Sequence, residues 1–286
     1  MRRLIIRPGA IGDCILSLPA LECLRVDYTE VWVARRNVPL IRFADRVCAI
    51  ADTGLDWLEI EPESPPPQLI ERLRSFDSIV SWYGWGREAF RAALERWKLP
   101  AVLLPALPRD PGGHASDFFL EQVRGLASRD APPVPRIPCP PAPGAPEVVI
   151  HPFASSEAKR WPLERFRELA ARVERKYRVG WVAGPEEALA EARRFEDLYE
   201  LACWLAGSRL FIGNDSGIAH LAAAAGAAVV VIFGPTDDRV WRPRGPRVRV
   251  VRPPERPAPI SGVAVEEVWR AVCELLERGP SADRLT

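Results

Sequence analysis

The sequence predicts an α/β protein made of two doubly wound domains. Three observations carry that prediction: strand-like and helix-like runs alternate along the chain, the alternation stops once at 131–146, and it then restarts with an apolar strand. Strands joined through helices pair in parallel and need cover on both faces, so each half is expected to be a mostly parallel sheet between helical layers.

In the first half the strand patterns fall at 4–7, 31–34, 47–50, 78–82 and 101–104, separated by helical periodicity near 13–26, 66–75, 86–97 and 115–127. Residues 131–146 read APPVPRIPCPPAPGAP, too rich in proline for a helix or a central strand and expected to be an extended linker. The predicted organisation is a first domain over 1–130, a linker over 131–146 and a second domain over 147–286. In the second domain strands are expected at 147–151, 179–183, 210–213, 228–233 and 248–251, with helices at 162–177, 186–206, 217–225 and 265–277. The final helix is free by its position to pack back on the first domain.

Two domains suit the length of 286 residues, because single cores stop growing near about 250–300 residues. The net charge of +1 supplies no general attraction for nucleic acid, and no nucleic-acid partner is expected. No apolar run approaches the roughly 20 residues that span a bilayer, and Met1-Arg2-Arg3 leads straight into a strand rather than a signal core. A cytoplasmic protein is expected, with peripheral contact at the inner face of the cytoplasmic membrane as its nearest approach to lipid. The six cysteines form no C-x-x-C pair and no zinc-finger spacing, so they are expected to be reduced packing residues, with no metal site.

In open α/β sheets ligands bind beyond the carboxyl ends of the strands, which directs attention to the loops after Arg7, His151, Ala183, Gly213 and Phe233. Gly213-Asn214-Asp215-Ser216-Gly217-Ile218-Ala219-His220 joins an apolar strand to an alanine-rich helix, so unpaired backbone N–H groups converge where a phosphate would be held. Ser216 and Gly217 allow close approach, and His220 lies one turn in. Asp215 would repel the anion unless it caps the helix or meets a ribose hydroxyl, and the bland alternative makes Asp215 and Ser216 ordinary caps and His220 a packing residue.

The loop Phe153-Ala154-Ser155-Ser156-Glu157-Ala158-Lys159-Arg160-Trp161-Pro162 puts Lys159 at a carboxyl edge, where it can neutralise a departing diphosphate or simply be solvated. Arg7-Pro8-Gly9-Ala10-Ile11-Gly12-Asp13 is a glycine-bearing turn into a helix without the G-x-G-x-x-G dinucleotide pattern, which argues against an NAD enzyme. Asp13 is either the helix N-cap or a carboxylate able to take a proton from a hydroxyl. Gly184-Pro185-Glu186-Glu187 offers a carboxylate to ribose hydroxyls, Gly234-Pro235-Thr236-Asp237 is a turn with a Thr contact, and Trp82, Trp85 and Arg87 suit an acidic sugar.

Three segments together resemble glycosyltransferase family 9, the ADP-heptose:lipopolysaccharide heptosyltransferase family: RPGAIGDCILSLPAL, HPFASSEAKRWPLERFRELA and GNDSGIAHLAAAAGAAVVVIFGPTDDRVW. The resemblance implies the GT-B architecture, two doubly wound Rossmann-like domains facing a central cleft, and an inverting, metal-independent transferase. It implies Asp13 as base and Lys159 as diphosphate ligand. Ser155, Glu186, Asp215, Ser216, Gly217, His220 and Thr236 would be further donor contacts, and Gly12, Trp82, Trp85 and Arg87 would lie on the acceptor side. No cofactor is implied beyond a nucleotide-sugar donor of the ADP-heptose kind, used as substrate. The acceptor would be a lipopolysaccharide or another cell-envelope glycan or glycolipid, since the first half has no evident basic cluster for phosphorylated sugars. A nucleotide-sugar hydrolase or epimerase, or a noncatalytic nucleotide-binding relative, would share the same donor residues. Between Glu186 and Asn214 the chain is short for the family, and a strand-and-loop step is expected to be missing there.

Overall fold

The computed structural model describes residues 1–60, 64–108 and 113–277. Contacts divide the chain into two units, Met1–Pro133 and Val134–Thr286.

The first unit holds β1 (Arg2–Arg7), α1 (Ile11–Cys23), β2 (Tyr28–Val33), β3 (Arg46–Ala49), α2 (Pro67–Arg74), β4 (Ser78–Ser81), α3 (Glu88–Arg96), β5 (Ala101–Leu103) and α4 (Ala115–Val123). All its strand pairs are parallel, in the order β3-β2-β1-β4-β5. The residues of β1 from Arg3 onward are buried, as expected of a central strand covered on both faces. Leu4, Ile6 and Trp32 point to one side of the sheet, where Leu69, Ile70 and Leu73 of α2 and Phe90 and Leu94 of α3 cover them. Short 3-10 turns at Arg35–Leu40, Ile50–Asp52 and Leu55–Glu59 fill the connections after β2 and β3.

The second unit holds β6 (Val148–His151), α5 (Leu163–Val173), β7 (Val179–Ala183), β8 (Arg193–Arg194), α6 (Leu198–Ala206), β9 (Leu210–Asn214), α7 (Gly217–Ala224), β10 (Ala228–Ile232), α8 (Asp238–Trp241), β11 (Val248–Val251) and α9 (Val265–Glu277). The sheet order is β11-β10-β9-β6-β7-β8, again all parallel. Every residue of β6, β9 and β10 is buried, which explains why these segments read as continuous apolar runs.

Three expectations are corrected. The helices foreseen over 186–206 reduce to one: a turn at 185–186 leads to β8, and α6 starts only after Asp197, whose side chain accepts the Tyr199 and Glu200 N–H groups at 2.6 and 3.1 Å. The strand-and-loop step expected to be missing is therefore present as a two-residue strand, paired Val182 to Arg193 and Ala183 to Arg194. Most of 131–146 belongs to the second unit, because Ile137 N–H donates to the Ala224 carbonyl at 2.9 Å and Ala142 N–H to that of Cys203 at 2.8 Å. Within the second unit, Val268, Val272, Leu275 and Leu276 of the final helix α9 are buried in the core. Among the described residues no helix is long and apolar enough to cross a membrane.

Candidate functional site

In each sheet the order of strands reverses once, and the loops leaving the two strands beside that reversal diverge and open a crevice. In the first unit these strands are β1 and β4, and in the second they are β6 and β9.

After β1 the chain turns through Gly9, whose φ of +127° is open to glycine and strained for other residues. A Cβ there would also lie 3.1 Å from Asp13 Cβ. The N-cap of α1 is Ala10, so Asp13 is not the cap; it sits at the third helical position and its Oδ2 accepts the Ala10 N–H at 3.2 Å. Beneath it Arg7 is only 1% exposed, with its guanidinium 4.6 Å from the centre of the Phe119 ring. It donates to Ser17 Oγ at 3.1 Å and to the carbonyls of Pro8 and Asp13 at 2.8 and 3.2 Å. Burial pulls the Arg7 pKa down, and the charge of Asp13 opposes that pull. Asn37 Nδ2 closes the turn on the Gly9 carbonyl at 3.2 Å. Gly12 is half-buried beside Asp13 on the same turn.

The aromatic candidates after β4 separate. Trp82 is 1% exposed and donates through Nε1 to Gln122 Oε1 at 2.8 Å, so it is a core residue and has no face to offer a sugar. Trp85 is half-buried, with the Arg91 guanidinium 5.5 Å from its ring centre. Arg87 is exposed and engaged with Glu59 at 2.9 Å. Tyr83, which joins the same cluster through Glu59 at 2.5 Å, has its pKa pushed up to about 12 by burial and by that carboxylate.

In the second unit the crevice beside β6 and β9 brings together residues far apart in sequence. Lys159 Nζ lies 2.8 Å from Asp215 Oδ2, with side chains 29% and 7% exposed. Asp215 is thus neither a cap nor an isolated carboxylate, and the ion pair removes the repulsion that an unpaired Asp215 would exert on an anion. Ser216 is the N-cap of α7, accepting the Ala219 N–H at 3.4 Å. The first-turn N–H groups at Gly217 and Ile218 point out of the helix end, where the helix dipole favours negative charge. Asn214 staples the two loops: its Oδ1 accepts the Trp161 N–H at 3.0 Å and its Nδ2 donates to the Pro152 carbonyl at 2.8 Å. Trp161 is anchored in turn through Nε1 to the Val263 carbonyl at 2.9 Å.

Ser155 is exposed on the loop before Lys159, His220 is buried in α7, and Thr236 is half-buried between β10 and α8. Glu186 is exposed at the tip of its turn. Its neighbour Glu187 is the carboxylate that the fold holds: Oε2 accepts the Gly184 N–H at 2.5 Å and lies 3.2 Å from His151 Nε2. Burial works to raise the Glu187 pKa, and the His151 hydrogen bond, the Gly184 N–H and the charges of His151 and Arg160 outweigh it, leaving the group below its ordinary value. His151 and Glu187 were not singled out from sequence. The signal was available, because His151 ends a strand at a carboxyl edge and Glu187 lies three residues after Gly184.

The family "Glycosyltransferase family 9 (heptosyltransferase)" matches residues 127–263. Lipopolysaccharide heptosyltransferase 1 of Pseudomonas aeruginosa is 36% identical over 301 residues, covering 83% of this chain and 79% of that protein. Among solved structures, the family 9 glycosyl transferase of Veillonella parvula superposes with a TM-score of 0.76 at 17% identity, covering 97% of each chain. The E. coli heptosyltransferase WaaC with ADP gives 0.72 at 20% identity, covering 96% of this chain and 100% of that one. These structural likenesses concern the fold, two Rossmann-like domains of the GT-B class, while the sequence relationship goes further. With more than a third of positions shared over most of both proteins, the chain belongs to glycosyltransferase family 9 and is a glycosyltransferase.

Proposed function

We propose that this chain transfers a heptose-type sugar from an ADP-sugar to a lipopolysaccharide or related cell-envelope glycan, with inversion and without a metal ion. The observation that carries the reading is the Lys159–Asp215 pair at 2.8 Å beside the first turn of α7, a cation and a set of N–H donors at one strand-end crevice. That chemistry suits a diphosphate. The names of relatives support the rest, since the Pseudomonas protein is a lipopolysaccharide heptosyltransferase and the E. coli structure contains ADP.

In this reading Asp13 accepts the proton of the acceptor hydroxyl as that oxygen attacks the anomeric carbon, and the bond to the diphosphate oxygen breaks in the same step. Attack opposite to the leaving group inverts the centre. The Oδ2 contact to Ala10 N–H restrains the Asp13 carboxylate, and in this reading Oδ1 takes the proton. Lys159 has three N–H donors, one of them on Asp215, so two remain for the phosphates. Ser155, Ser216, Gly217, His220 and Thr236 complete the donor set, with Glu187 in place of Glu186 as the acidic ribose contact. Trp85, Arg87 and Gly12 remain on the acceptor side.

The test is turnover of ADP-heptose with a heptose-deficient lipopolysaccharide acceptor, in the presence and absence of EDTA. Transfer that resists EDTA and falls at least about a hundredfold in Asp13→Asn is expected, the usual range for loss of a general base. Full activity of Asp13→Asn would remove the base assignment, and UDP or GDP stabilising the protein more than ADP in a thermal-shift panel would remove the donor assignment.

A further inference from the structure

We infer that His151 is a positioning residue: it fixes the Glu187 carboxylate so that the donor site distinguishes a ribose from a deoxyribose. The inference rests on the reading that the second unit takes a nucleoside diphosphate. His151 is the last residue of β6, and its side chain is 4% exposed. Its backbone pairs with Gly213 of β9, where an added Cβ would come within 2.9 Å of the His151 carbonyl oxygen. The ring meets Phe153 edge to face at 6.0 Å. Its Nδ1 is buried and has no hydrogen-bond partner, so the polar interaction of this imidazole is Nε2 with Glu187. A buried nitrogen without a partner is costly to keep, and the compensating contact is the one to the carboxylate. Opposite a carboxylate, which only accepts, Nε2 is the donor of this hydrogen bond.

The two restraints on Glu187, from His151 and from Gly184, both fall on Oε2. Oε1 has no hydrogen-bond partner among the described residues, and the side chain is 26% exposed. One oxygen is thus tied to the strand ends while the other keeps its accepting capacity at the same crevice edge as Lys159 and α7. Carboxylates at strand ends of such sheets accept ribose hydroxyls. A carboxylate that wags loses that selectivity; one clamped through Oε2 presents Oε1 in a single orientation.

The experiment measures Kd by calorimetry for ADP, 2′-deoxy-ADP and 3′-deoxy-ADP on the full chain and on Glu187→Ala, His151→Phe and His151→Gln. The wild type is expected to prefer ADP over at least one deoxy analogue by about tenfold or more, the range of a hydrogen bond to a charged group. Glu187→Ala should bring that ratio near one. His151→Phe should lower the ratio at least threefold while the Kd of the deoxy analogue stays within about twofold, which a general loss of folding would not do. Gln places a donor near the position of Nε2, so His151→Gln should restore most of the ratio. If Glu187→Ala abolishes discrimination and both His151 variants keep the wild-type ratio, the positioning role is wrong although the ribose contact stands. A wild type that binds none of the three nucleotides, or a Glu187→Ala that still discriminates, overturns the underlying reading instead. Should His151→Phe fail to fold, His151→Gln carries the decision: the role requires that it keep at least half of the discrimination on a logarithmic scale.

Discussion

Replacing Asn214 by Ala should destabilise the second unit far more than its small size suggests. Asn214 is fully buried, and both ends of its amide are used, one on the Trp161 N–H at 3.0 Å and the other on the Pro152 carbonyl at 2.8 Å. Each of those groups sits in a buried residue and makes no other hydrogen bond among the described residues. Leaving a buried polar group unpaired costs about 1–3 kcal/mol, so the two together cost about 4 kcal/mol. For a unit of this size about 1 kcal/mol corresponds to about 2–4 °C in Tm, which gives a drop of about 8–16 °C. Differential scanning calorimetry reads it directly: the transition of the second unit should fall by that amount while the first stays in place. Asn214→Asp is the companion variant. It keeps an acceptor for Trp161 N–H but sets an oxygen against the Pro152 carbonyl and brings a charge into a site of zero exposure, so its loss at neutral pH should match or exceed that of Ala. A shift below about 3 °C for Asn214→Ala, or equal shifts in both transitions, would refute the staple.

Three further outcomes are expected. Lys159→Met should lower kcat about a hundredfold, the loss of one preorganised donor worth about 3 kcal/mol, and also lower Tm because Asp215, 7% exposed, loses its partner; a kcat within threefold of wild type would remove Lys159 from the leaving-group site. Gly234→Ala should destabilise by about 1–3 kcal/mol, since its Cβ would lie 2.6 Å from Ile260 Cβ and 2.9 Å from the Ile260 backbone nitrogen; an unchanged urea midpoint would contradict the close approach. The Glu187 carboxyl has a folded pKa below its ordinary value of 4.5, so its stabilising contribution is present above that value and is lost as pH falls through the folded pKa. The stability gap between wild type and Glu187→Gln should therefore be largest near pH 6 and shrink below pH ~4.5, and a gap that does not vary with pH would overturn the assignment.

Local sequence determined the strand and helix runs because their signals are local: apolar runs such as 228–232, the amphipathic repeat of α9 and the glycine at a left-handed turn each act within a few residues. It also singled out the strand-end loops, since parallel strands oblige those after His151 and Asn214 to leave one edge of their sheet and the loop after Arg7 to leave the carboxyl edge of its own. The error over 186–206 has the same origin, for an Ala-, Glu- and Leu-rich run has high helix propensity, and only the Asp197 cap and the pairing of Arg193 with β7 overrule it.

Only the tertiary structure decided which side chains meet. Lys159 and Asp215 are 56 residues apart and pair because β6 and β9 are neighbours at the reversal of strand order. Trp82 went to the core while Trp85 stayed half-buried, Glu187 and not Glu186 turned inward to His151, and most of the proline-rich segment docked on α6 and α7. The physical reason is common to all four. A loop residue's neighbours are set by which strands lie side by side and which face the chain leaves from, and no short-range pattern of residue types encodes that.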